Sequence, residues 1–379
     1  MKRAFWLSFN AVRRTWRRSA RNVRDGYSTL GSSLRDGRRA ARRKLVEIYI
    51  ETDRLWRRAK KETKRLKRRV YHRGRYTSAG RAMLAVSEAA TSPGDAVRRR
   101  AVARAYTRQH PNARLDRQNG FAMLSPDDLP GVDAIIDLSR RLFDEKQRQL
   151  EEAAGPGSGL HAKKWAFMRS VLSNQDLAQH PELVDFALSD GLLSPVTHYL
   201  GFVPHLNRID LLYSVAHGGD EAISSQMYHL DPEGLRQAKL FLNLRDVGPN
   251  EGPFTFIPAL ETQRIVKAVK QQRPPESEMV MARFLDSELE AVGGLDKAIS
   301  VMGPVGSAGL VDTSRCLHFG SRVKPGTYRL CLYIQYCGSR EHGNMFDPSR
   351  YAADPVRYLA TINSQRAGAA SVAAPHQMG

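Results

Sequence analysis

Two side chains that commonly bind metals stand two residues apart in the segment QMYHLD (226–231), namely His229 and Asp231. Residues i and i+2 of a β-strand point to the same face, so the imidazole and the carboxylate can converge on one ion. A third ligand from a distant strand would complete a face of two histidines and one carboxylate. That face leaves three coordination positions open and suits Fe(II). The pattern therefore predicts an open metal centre carried by strands.

The same short pattern occurs a second time, as His180-Pro181-Glu182. This copy lies at a predicted helix start, where a proline fixes the first turn and a glutamate complements the helix dipole. We therefore interpret it as structural. The ordinary expectation, a surface or hydrogen-bonded histidine, holds for His110, His205, His217 and His342.

Strands that could position the metal ligands dominate the chain from residue 200 onward. They are short, strand-like runs bounded by Gly, Pro, Asp and Asn: HLNRIDLLYSVA, AISSQMYHL, AKLFLNLRDV, PFTFIPAL, SAGLVDTS and TYRLCLYIQYC. Between two of them, GPNEGP (248–253) is expected to form a hairpin loop. A helix capped by Ser125 or Asp127 precedes them, and a polar, partly helical insert covers 261–300. The pattern predicts an antiparallel sandwich or barrel with flanking helices.

The order of these segments is similar to that of a known family. QMYHLD, the strand KLFLNL, the GPNEGP turn, FTFIPAL and the later GLVDTSRCLHFGSRVKPGTYRLCLYIQY resemble, over about 160–340, the phytanoyl-CoA dioxygenase-like family of Fe(II)- and 2-oxoglutarate-dependent oxygenases. The later segment supplies His318 and, 11 residues on, Arg329. The chain departs from the family after Pro258, where Ala259-Leu260-Glu261 replaces small residues and a histidine that is not a metal ligand in the family.

The resemblance implies a double-stranded β-helix (jelly-roll) catalytic domain. It assigns Fe(II) to His229, Asp231 and His318, and the far carboxylate of 2-oxoglutarate to Arg329. With O2 as the other co-substrate, the implied reaction hydroxylates an unactivated C–H bond of a small-molecule or lipid- or sugar-linked substrate and releases succinate and CO2. Three alternatives stay open. One is a catalytically inactive jelly-roll binding or scaffold protein whose basic arm attaches it to an anionic membrane or nucleic acid. The others are a metal-dependent cupin that does not use 2-oxoglutarate and an enzyme that demethylates nucleic acid.

Alternation along TYRLCLYIQY (327–336) places Arg329 on the face opposite to Leu330 and Leu332. If the leucines pack outwards, Arg329 points into the barrel, where an unpaired guanidinium would be costly. A bound dicarboxylate offers it a bidentate partner, and an internal pair with Asp312 is the alternative. Arg322, in the turn GSRVKPG, is the second candidate, for the entrance or the substrate.

Three more residues are candidates for binding the co-substrate. Lys239 and Asn243 alternate with the leucines of KLFLNL, so they face either the cavity or solvent. The resemblance gives Gln226 a role in holding 2-oxoglutarate. A regular strand would nevertheless place Gln226 on the face opposite to Asp231.

The formal net charge of +20 over 379 residues is unevenly placed. Residues 1–115 contain 33 Lys and Arg against 8 Asp and Glu, a net charge of +25, and the remaining residues carry a net charge of −5. The chain is therefore expected to have a basic helical arm at 1–115, an oxygenase-like domain at 116–365 and a disordered tail at 366–379.

The arm has the composition of basic amphipathic helices. Phe5, Phe9, Val12 and Trp16 form one helical stripe, and arginines occupy the opposite side. Such a helix could attach to an anionic membrane surface, or it could bury its stripe against protein. A second helical run at 42–71 could pair with a neighbour or bind nucleic acid without sequence preference, and the nucleic-acid reading is the weaker one.

Three cysteines in so long a chain argue against a disulfide framework and favour a reducing, cytoplasmic location. No stretch reaches the roughly 20 apolar residues of a membrane-spanning helix. The N-terminal apolar run is too short for a secretory signal. The basic composition of the first residues is typical of a transit peptide. The same composition continues well past a plausible cleavage point, which argues against that interpretation.

Overall fold

A computed structural model of the chain describes residues 93–152, 167–219, 221–231, 237–273, 283–338 and 343–362. By its internal contacts the chain divides into two units, 1–70 and 71–379, and every described residue belongs to the second. The predicted arm helices before residue 72, the segment 72–92 and the predicted tail lie outside the described residues. The predicted domain boundaries therefore stay predictions.

The described residues form eight α-helices and eleven β-strands. The helices are α1 (Pro93–Gln109), α2 (Val132–Glu152), α3 (Asn174–Gln179), α4 (Glu182–Ala187), α5 (Asp190–Leu200), α6 (Ala259–Gln272), α7 (Asp286–Glu290) and α8 (Pro355–Thr361). The strands are β1 (Phe121–Leu124), β2 (Met168–Ser170), β3 (His205–Val215), β4 (Tyr228–His229), β5 (Gln237–Asn243), β6 (Thr255–Ile257), β7 (Arg283–Phe284), β8 (Ile299–Ser300), β9 (Ala308–Val311), β10 (Leu317–Phe319) and β11 (Tyr328–Cys337). The mainly-β class with flanking helices agrees with the prediction.

Two antiparallel sheets contain all eleven strands. The six-stranded sheet has the order β1-β9-β5-β11-β3-β2, and the five-stranded sheet has the order β7-β4-β10-β6-β8. From β3 to β6 the chain crosses to the other sheet at every strand, and it does so again from β9 to β11. Each sheet is therefore assembled from strands that are distant in sequence.

Side-chain alternation divides the core into three layers. The outward side chains of the six-stranded sheet, such as Leu242 and Leu332, pack with the helices α1 to α5 and α8. The inward ones, such as Phe241 and Tyr333, meet Phe256 of the other sheet. The outer face of the five-stranded sheet packs against α6 and α7. The predicted outward packing of the leucines of β11 is therefore confirmed.

Helix α1 lies before the predicted domain start at residue 116 and is nevertheless packed on this core. Arg99 is buried and donates to the carbonyl oxygen of Val203 at 3.0 Å, and its Nε binds Asp95 at 2.8 Å. The Tyr106 hydroxyl donates to Asp190 at 2.7 Å. These contacts tie residues of the predicted join to the folded body.

One sequence prediction about a connection is wrong. Residues 248–253 do not close a hairpin, because β5 and β6 lie in different sheets and the loop crosses between them. The insert at 261–300 is partly helical as predicted, with α7 and most of α6 inside it. Helix α6 buries Ile265, Val266 and Val269 against the five-stranded sheet, a helical spacing typical of a core-facing stripe.

Two local predictions about helix starts are refined. Ser125 begins a short 3-10 turn, Pro126–Asp128, in which Ser125 and Asp128 cap each other, and α2 starts only at Val132. Helix α4 begins after Pro181 as predicted. Within the described residues, no helix combines the length and apolar character needed to cross a bilayer.

Candidate active site

The two predicted histidine ligands lie opposite each other on neighbouring strands of the five-stranded sheet. His229 of β4 pairs with His318 of β10, and their ring centroids are 4.2 Å apart. Their chain neighbours Tyr228 and Leu317 pack into the outer layer, so alternation turns both imidazoles inward. The prediction that Tyr228 is a core residue is confirmed.

Asp231 completes the group two residues beyond His229. Its backbone N–H donates to the carbonyl oxygen of Thr313 at 2.9 Å, which fixes the carboxylate just past the end of β4. Oδ1 lies 3.5 Å from Nε2 of His229, and Oδ2 lies 3.3 Å from Nε2 of His318. One ligand atom from each of the three residues lies within 4.8 Å of the others. The structure thus brings together the three residues predicted as metal ligands.

Hydrogen bonds to backbone carbonyls orient both imidazoles. Nδ1 of His229 lies 2.9 Å from the oxygen of Met227, and Nδ1 of His318 lies 3.0 Å from the oxygen of Cys316. A carbonyl only accepts, so each Nδ1 donates, and Nε2 is the nitrogen whose lone pair is available to a metal. Both lone pairs are on the side of Asp231, as in histidines that bind a metal through Nε2.

The charge states also suit metal binding. Burial, helped by the neighbouring His318, lowers the pKa of His229 to about 4, so the ring is neutral at pH 7. Burial alone would raise the pKa of Asp231, but the neighbouring Lys239 ammonium outweighs it and holds that pKa well below its ordinary value. A neutral imidazole at His229 and a carboxylate at Asp231 are ligand forms that divalent metals require.

Arg329 lies on the inward face of β11 and is buried. Nη1 donates to the carbonyl oxygen of Gly252 at 2.9 Å, and Nη2 donates to Oγ of Ser321 at 3.1 Å. Its Nε is buried without a hydrogen-bond partner, and burial lowers the pKa of Arg329. No carboxylate of the described residues contacts it. The alternative pair with Asp312 is excluded, since Asp312 accepts from Tyr199 and Ser314 instead.

The guanidinium of Arg329 lies beside Gly320, two residues beyond His318. A Cβ built on Gly320 would lie 3.4 Å from both Nη atoms and 3.8 Å from the Phe254 ring. The Phe254 ring centroid is 5.4 Å from that of His318. Gly320 therefore links the surroundings of Arg329 to those of Phe254 and His318.

The other predicted co-substrate residues are all buried but have protein partners. Gln226 lies in a 3-10 turn rather than a strand, and its amide binds the oxygen of Ser321 at 2.8 Å and the N–H of Ile223 at 3.1 Å. Asn243 donates to the oxygen of Val301 at 3.2 Å. Lys239 lies 2.6 Å from Oδ2 of Asp231. Their contacts with 2-oxoglutarate stay predictions.

Arg322, the second candidate arginine, is occupied. It forms two bonds to Asp286 at 2.6 and 2.8 Å, its Nε donates to the oxygen of Gln226, and it lies over the Phe319 ring at 3.6 Å. An arginine so paired is less suited than Arg329 to bind an incoming carboxylate.

Ser321 is a residue of this site that the sequence reading missed. It is buried and has a positive φ of 65°, which is unusual for a serine. Its Oγ lies 2.8 Å from Oγ of Ser214 and accepts from Arg329, and its carbonyl accepts from Gln226. Nothing in the sequence around it marks a left-handed serine, although the glycine beside it indicates a turn.

The remaining histidines and the cysteines have structural surroundings where they are described. His180 ends α3, away from the metal ligands in sequence and fold, which agrees with its structural interpretation. His205 lies 3.1 Å from Arg99. His342 lies outside the described residues. Cys316, Cys331 and Cys337 are buried thiols with no disulfide among the described residues, and burial raises the pKa of Cys331 to about 11.

Comparison with known proteins finds similarity only among solved structures. No protein-family model and no curated protein matches the sequence. The apo structure of EctD from S. alaskensis is 16% identical over 62% of this chain and 78% of that chain, with a TM-score of 0.39. HygX from Streptomyces hygroscopicus with nickel and 2-oxoglutarate bound is 15% identical over 62% of this chain and 90% of that one, with a TM-score of 0.36.

A third similar structure is the epimerase SnoN in complex with Fe3+, alpha ketoglutarate and nogalamycin RO. It is 15% identical over 62% of this chain and 84% of that chain, with a TM-score of 0.37. These identities and TM-scores are too low to assign a family or an activity to this chain.

Proposed function

We propose that this protein is an Fe(II)- and 2-oxoglutarate-dependent oxygenase of the phytanoyl-CoA dioxygenase-like type, with a double-stranded β-helix as its catalytic domain. The observation that carries the proposal is the group of His229, Asp231 and His318, together with Arg329, a buried arginine that contacts no carboxylate of the described residues. The crossing of the chain between two antiparallel sheets also supports a jelly roll.

The residues present fit both Fe(II) and 2-oxoglutarate, which the proposal requires. Two imidazoles with Nε2 lone pairs and one carboxylate form a facial donor set that leaves positions open for co-substrates. Among the residues that the structure describes, Nε of Arg329 has no hydrogen-bond partner and no carboxylate contacts the guanidinium. The far carboxylate of 2-oxoglutarate would supply both the charge and the hydrogen bond. When bound together, Fe(II), 2-oxoglutarate and O2 supply an oxidant strong enough to hydroxylate an unactivated C–H bond, with succinate and CO2 as the other products.

The residues of the chain orient the metal ligands, supply a positive charge for the co-substrate and exclude water. His229 and His318 hold their ring orientation through Met227 and Cys316, and Arg329 orients the dicarboxylate. Phe254 and Phe241, stacked at 3.6 Å between centroids, keep water away from the path between the histidines and Arg329. Exclusion of water strengthens the ionic contacts there and limits side reactions. The substrate is proposed to be a small molecule or a lipid- or sugar-linked one.

Anaerobic titration with Fe(II) and 2-oxoglutarate tests the proposal through the visible charge-transfer absorption of the chelate. We expect the band in the wild-type protein, followed by succinate formation once O2 is admitted. His229→Ala should abolish both signals. The matched control is His180→Ala, from the second copy of the sequence pattern, which should keep both.

Absence of the band in well-folded wild-type protein would contradict the proposal and favour a binding or scaffold role. A metal that binds while 2-oxoglutarate does not would favour a cupin that works without this co-substrate.

A further inference from the structure

Lys239 places a second cation at the carboxylate of the candidate metal site. Its side chain is only 7% exposed, and Nζ lies 2.6 Å from Oδ2 of Asp231. The same Oδ2 lies 3.3 Å from Nε2 of His318, whereas Oδ1 faces His229. The ammonium of Lys239 therefore binds a carboxylate oxygen of Asp231 that would bind a metal ion held by the three ligands or would lie next to that ion.

The position of Lys239 is built into the fold. The lysine lies within β5, paired on one side with Gln335 of β11 and on the other with Val311 of β9. Its Nζ is 5.6 Å from the centre of the Tyr333 ring. Because strands hold its backbone on both sides, the side chain reaches the inward face at a fixed point and does not fold in from the surface.

We propose that Lys239 is a positioning residue that acts as the internal counter-ion of Asp231 and competes with the metal for this carboxylate. The inference rests on the proposed metal site and adds a charge that regulates the affinity of this site for its metal ion. In the metal-free protein, Lys239 offsets the charge of a carboxylate whose burial as an ion is costly. When a divalent ion binds, its charge and the ammonium repel each other across Asp231, and this repulsion weakens metal binding.

A carboxylate that enters beside the metal relieves this repulsion. The anion of 2-oxoglutarate would bring negative charge to the open coordination side, so metal and co-substrate should strengthen each other's binding. Such coupling is reciprocal by thermodynamic necessity. Part of this coupling between metal and 2-oxoglutarate binding arises from chelation alone. The contribution of Lys239 is the portion of the coupling that is lost when the lysine is replaced by a neutral residue.

Calorimetric titration of metal-free full-length protein with Mn(II) tests the inference, with and without 2-oxoglutarate. Lys239→Met removes the charge, Lys239→Gln removes it while keeping a hydrogen-bond donor for Asp231, and Lys239→Arg keeps the charge. We expect Mn(II) to bind at least tenfold more tightly to both neutral variants than to wild type, and with wild-type affinity to the arginine variant. The strengthening of Mn(II) binding by 2-oxoglutarate should be smaller in the neutral variants.

The matched control is Lys146→Met, which breaks another partly buried lysine–aspartate pair, with Asp176 between α2 and α3. This change should lower the melting temperature and leave Mn(II) affinity unchanged. If Lys239→Met does not fold without metal, Lys239→Gln provides the comparison. The metal-free neutral variants should melt lower than wild type and gain more from Mn(II), a signature that a merely structural lysine would not give.

Equal or weaker Mn(II) binding by both neutral variants would overturn the role of Lys239 and leave the proposed function intact. Tighter binding by the arginine variant would also overturn it, because the charge would then be irrelevant. If neither wild type nor any variant binds Mn(II), the metal site and the role of Lys239 both fail. If Mn(II) binds to the neutral variants and not to the wild type, the result would support competition between Lys239 and the metal for Asp231.

Discussion

Each ligand of the candidate metal centre is held in a strand, or just past its end in the case of Asp231, and by one backbone hydrogen bond. His229 and His318 use their Nδ1 atoms for this purpose, and Asp231 uses its backbone N–H. The three side chains therefore need little rearrangement to meet one ion. Arg329 differs from them, because its two hydrogen bonds go to neutral oxygens and its Nε has no partner.

Arg329→Gln should weaken 2-oxoglutarate binding about 100-fold, because removing one partner of a buried charge pair costs about 2–5 kcal/mol. Calorimetry with Mn(II)-loaded protein measures this, and Mn(II) affinity in the absence of 2-oxoglutarate should be unchanged. The control is Arg322→Gln, which removes an arginine already paired with Asp286. Equal losses in the two variants would show that Arg329 has no special role in binding the dicarboxylate.

The sequence is informative about residues whose chemistry needs a fixed order. His229 and Asp231 could be found from their spacing, and the resemblance pointed to His318 and Arg329. Alternation on β11 then gave the inward direction of Arg329. The supporting residues could not be found in this way, because Ser321 acts through an unusual backbone angle and distant partners.

Among the elements, the loop at 248–253 links the two sheets and also reaches the candidate co-substrate site. Gly252 has a positive φ of 67°. Its carbonyl accepts from Arg329 and, at 3.2 Å, from the N–H of Ser321. The conformation of one loop residue therefore affects both the connection between sheets and the direction of the guanidinium.

Gly252→Ala should lower the free energy of unfolding by about 3 kcal/mol and weaken 2-oxoglutarate binding. A Cβ there would lie 2.7 Å from the Val323 nitrogen and 2.8 Å from backbone atoms of Arg322, and the positive φ adds strain. Urea unfolding and calorimetry measure the two effects. Gly218→Ala, which has open space around it, should change stability by less than about 0.5 kcal/mol. Similar stabilities for both variants would contradict the strain at Gly252.

A second element-scale prediction concerns the pair that joins α6 to α7. Arg273 binds Glu288 through two bonds of 2.6 Å, and Glu288 also accepts from the N–H of Leu285 at 2.8 Å. The bond from Arg273 is the main cause that lowers the pKa of Glu288, against the opposing effect of burial. A carboxyl group whose pKa is lowered by folding stabilises the fold above its ordinary pKa, and this contribution is lost as the pH falls through the lowered value.

Glu288→Gln should therefore reduce the free energy of unfolding at pH 7 by about 1–2 kcal/mol. The difference from wild type should shrink below the ordinary glutamate pKa of about 4.3. Urea unfolding at a series of pH values measures it, and Glu290→Gln, exposed on the same helix, should have little effect. A difference that stays constant down to the lowest pH at which both proteins fold would contradict an ionic origin.

The long strands could be predicted and the short ones could not. β3, β5 and β11 have seven or more residues, enough for apolar runs bounded by turn residues to stand out. Strands of two residues such as β4 and β7 show no periodicity, and their pairing depends on distant partners. The hairpin predicted at 248–253 failed for the same reason: local turn residues do not reveal which sheet the next strand joins.

At the scale of the whole molecule, charge separates the chain into a strongly basic beginning and a slightly acidic remainder. The metal ligands, Arg329 and Lys239 all lie in the remainder, so the positive charge of residues 1–115 is not needed for the proposed chemistry. Attachment to an anionic membrane surface is the role we propose for the amphipathic, aromatic stripe of the first residues.

Flotation with liposomes tests that role. Full-length protein should float with anionic vesicles, less so as salt is raised, because screening weakens the attraction to lipid phosphates. Neutral vesicles are the control for apolar insertion. A variant lacking residues 1–40 should float less with anionic vesicles than the full chain, with the remaining binding due to the positive charge of residues 41–115. Absence of flotation of the full chain would favour the alternative, in which the stripe packs against protein.

The most direct test of the central claim is a crystal structure of the protein with Mn(II) and 2-oxoglutarate, using the anomalous signal of the metal. We predict a single strong peak bonded to Nε2 of His229, Nε2 of His318 and a carboxylate oxygen of Asp231, with the dicarboxylate extending to Arg329. A peak bonded to other residues, or none between these three in a fully soaked crystal, would contradict the assignment of this site as a metal centre.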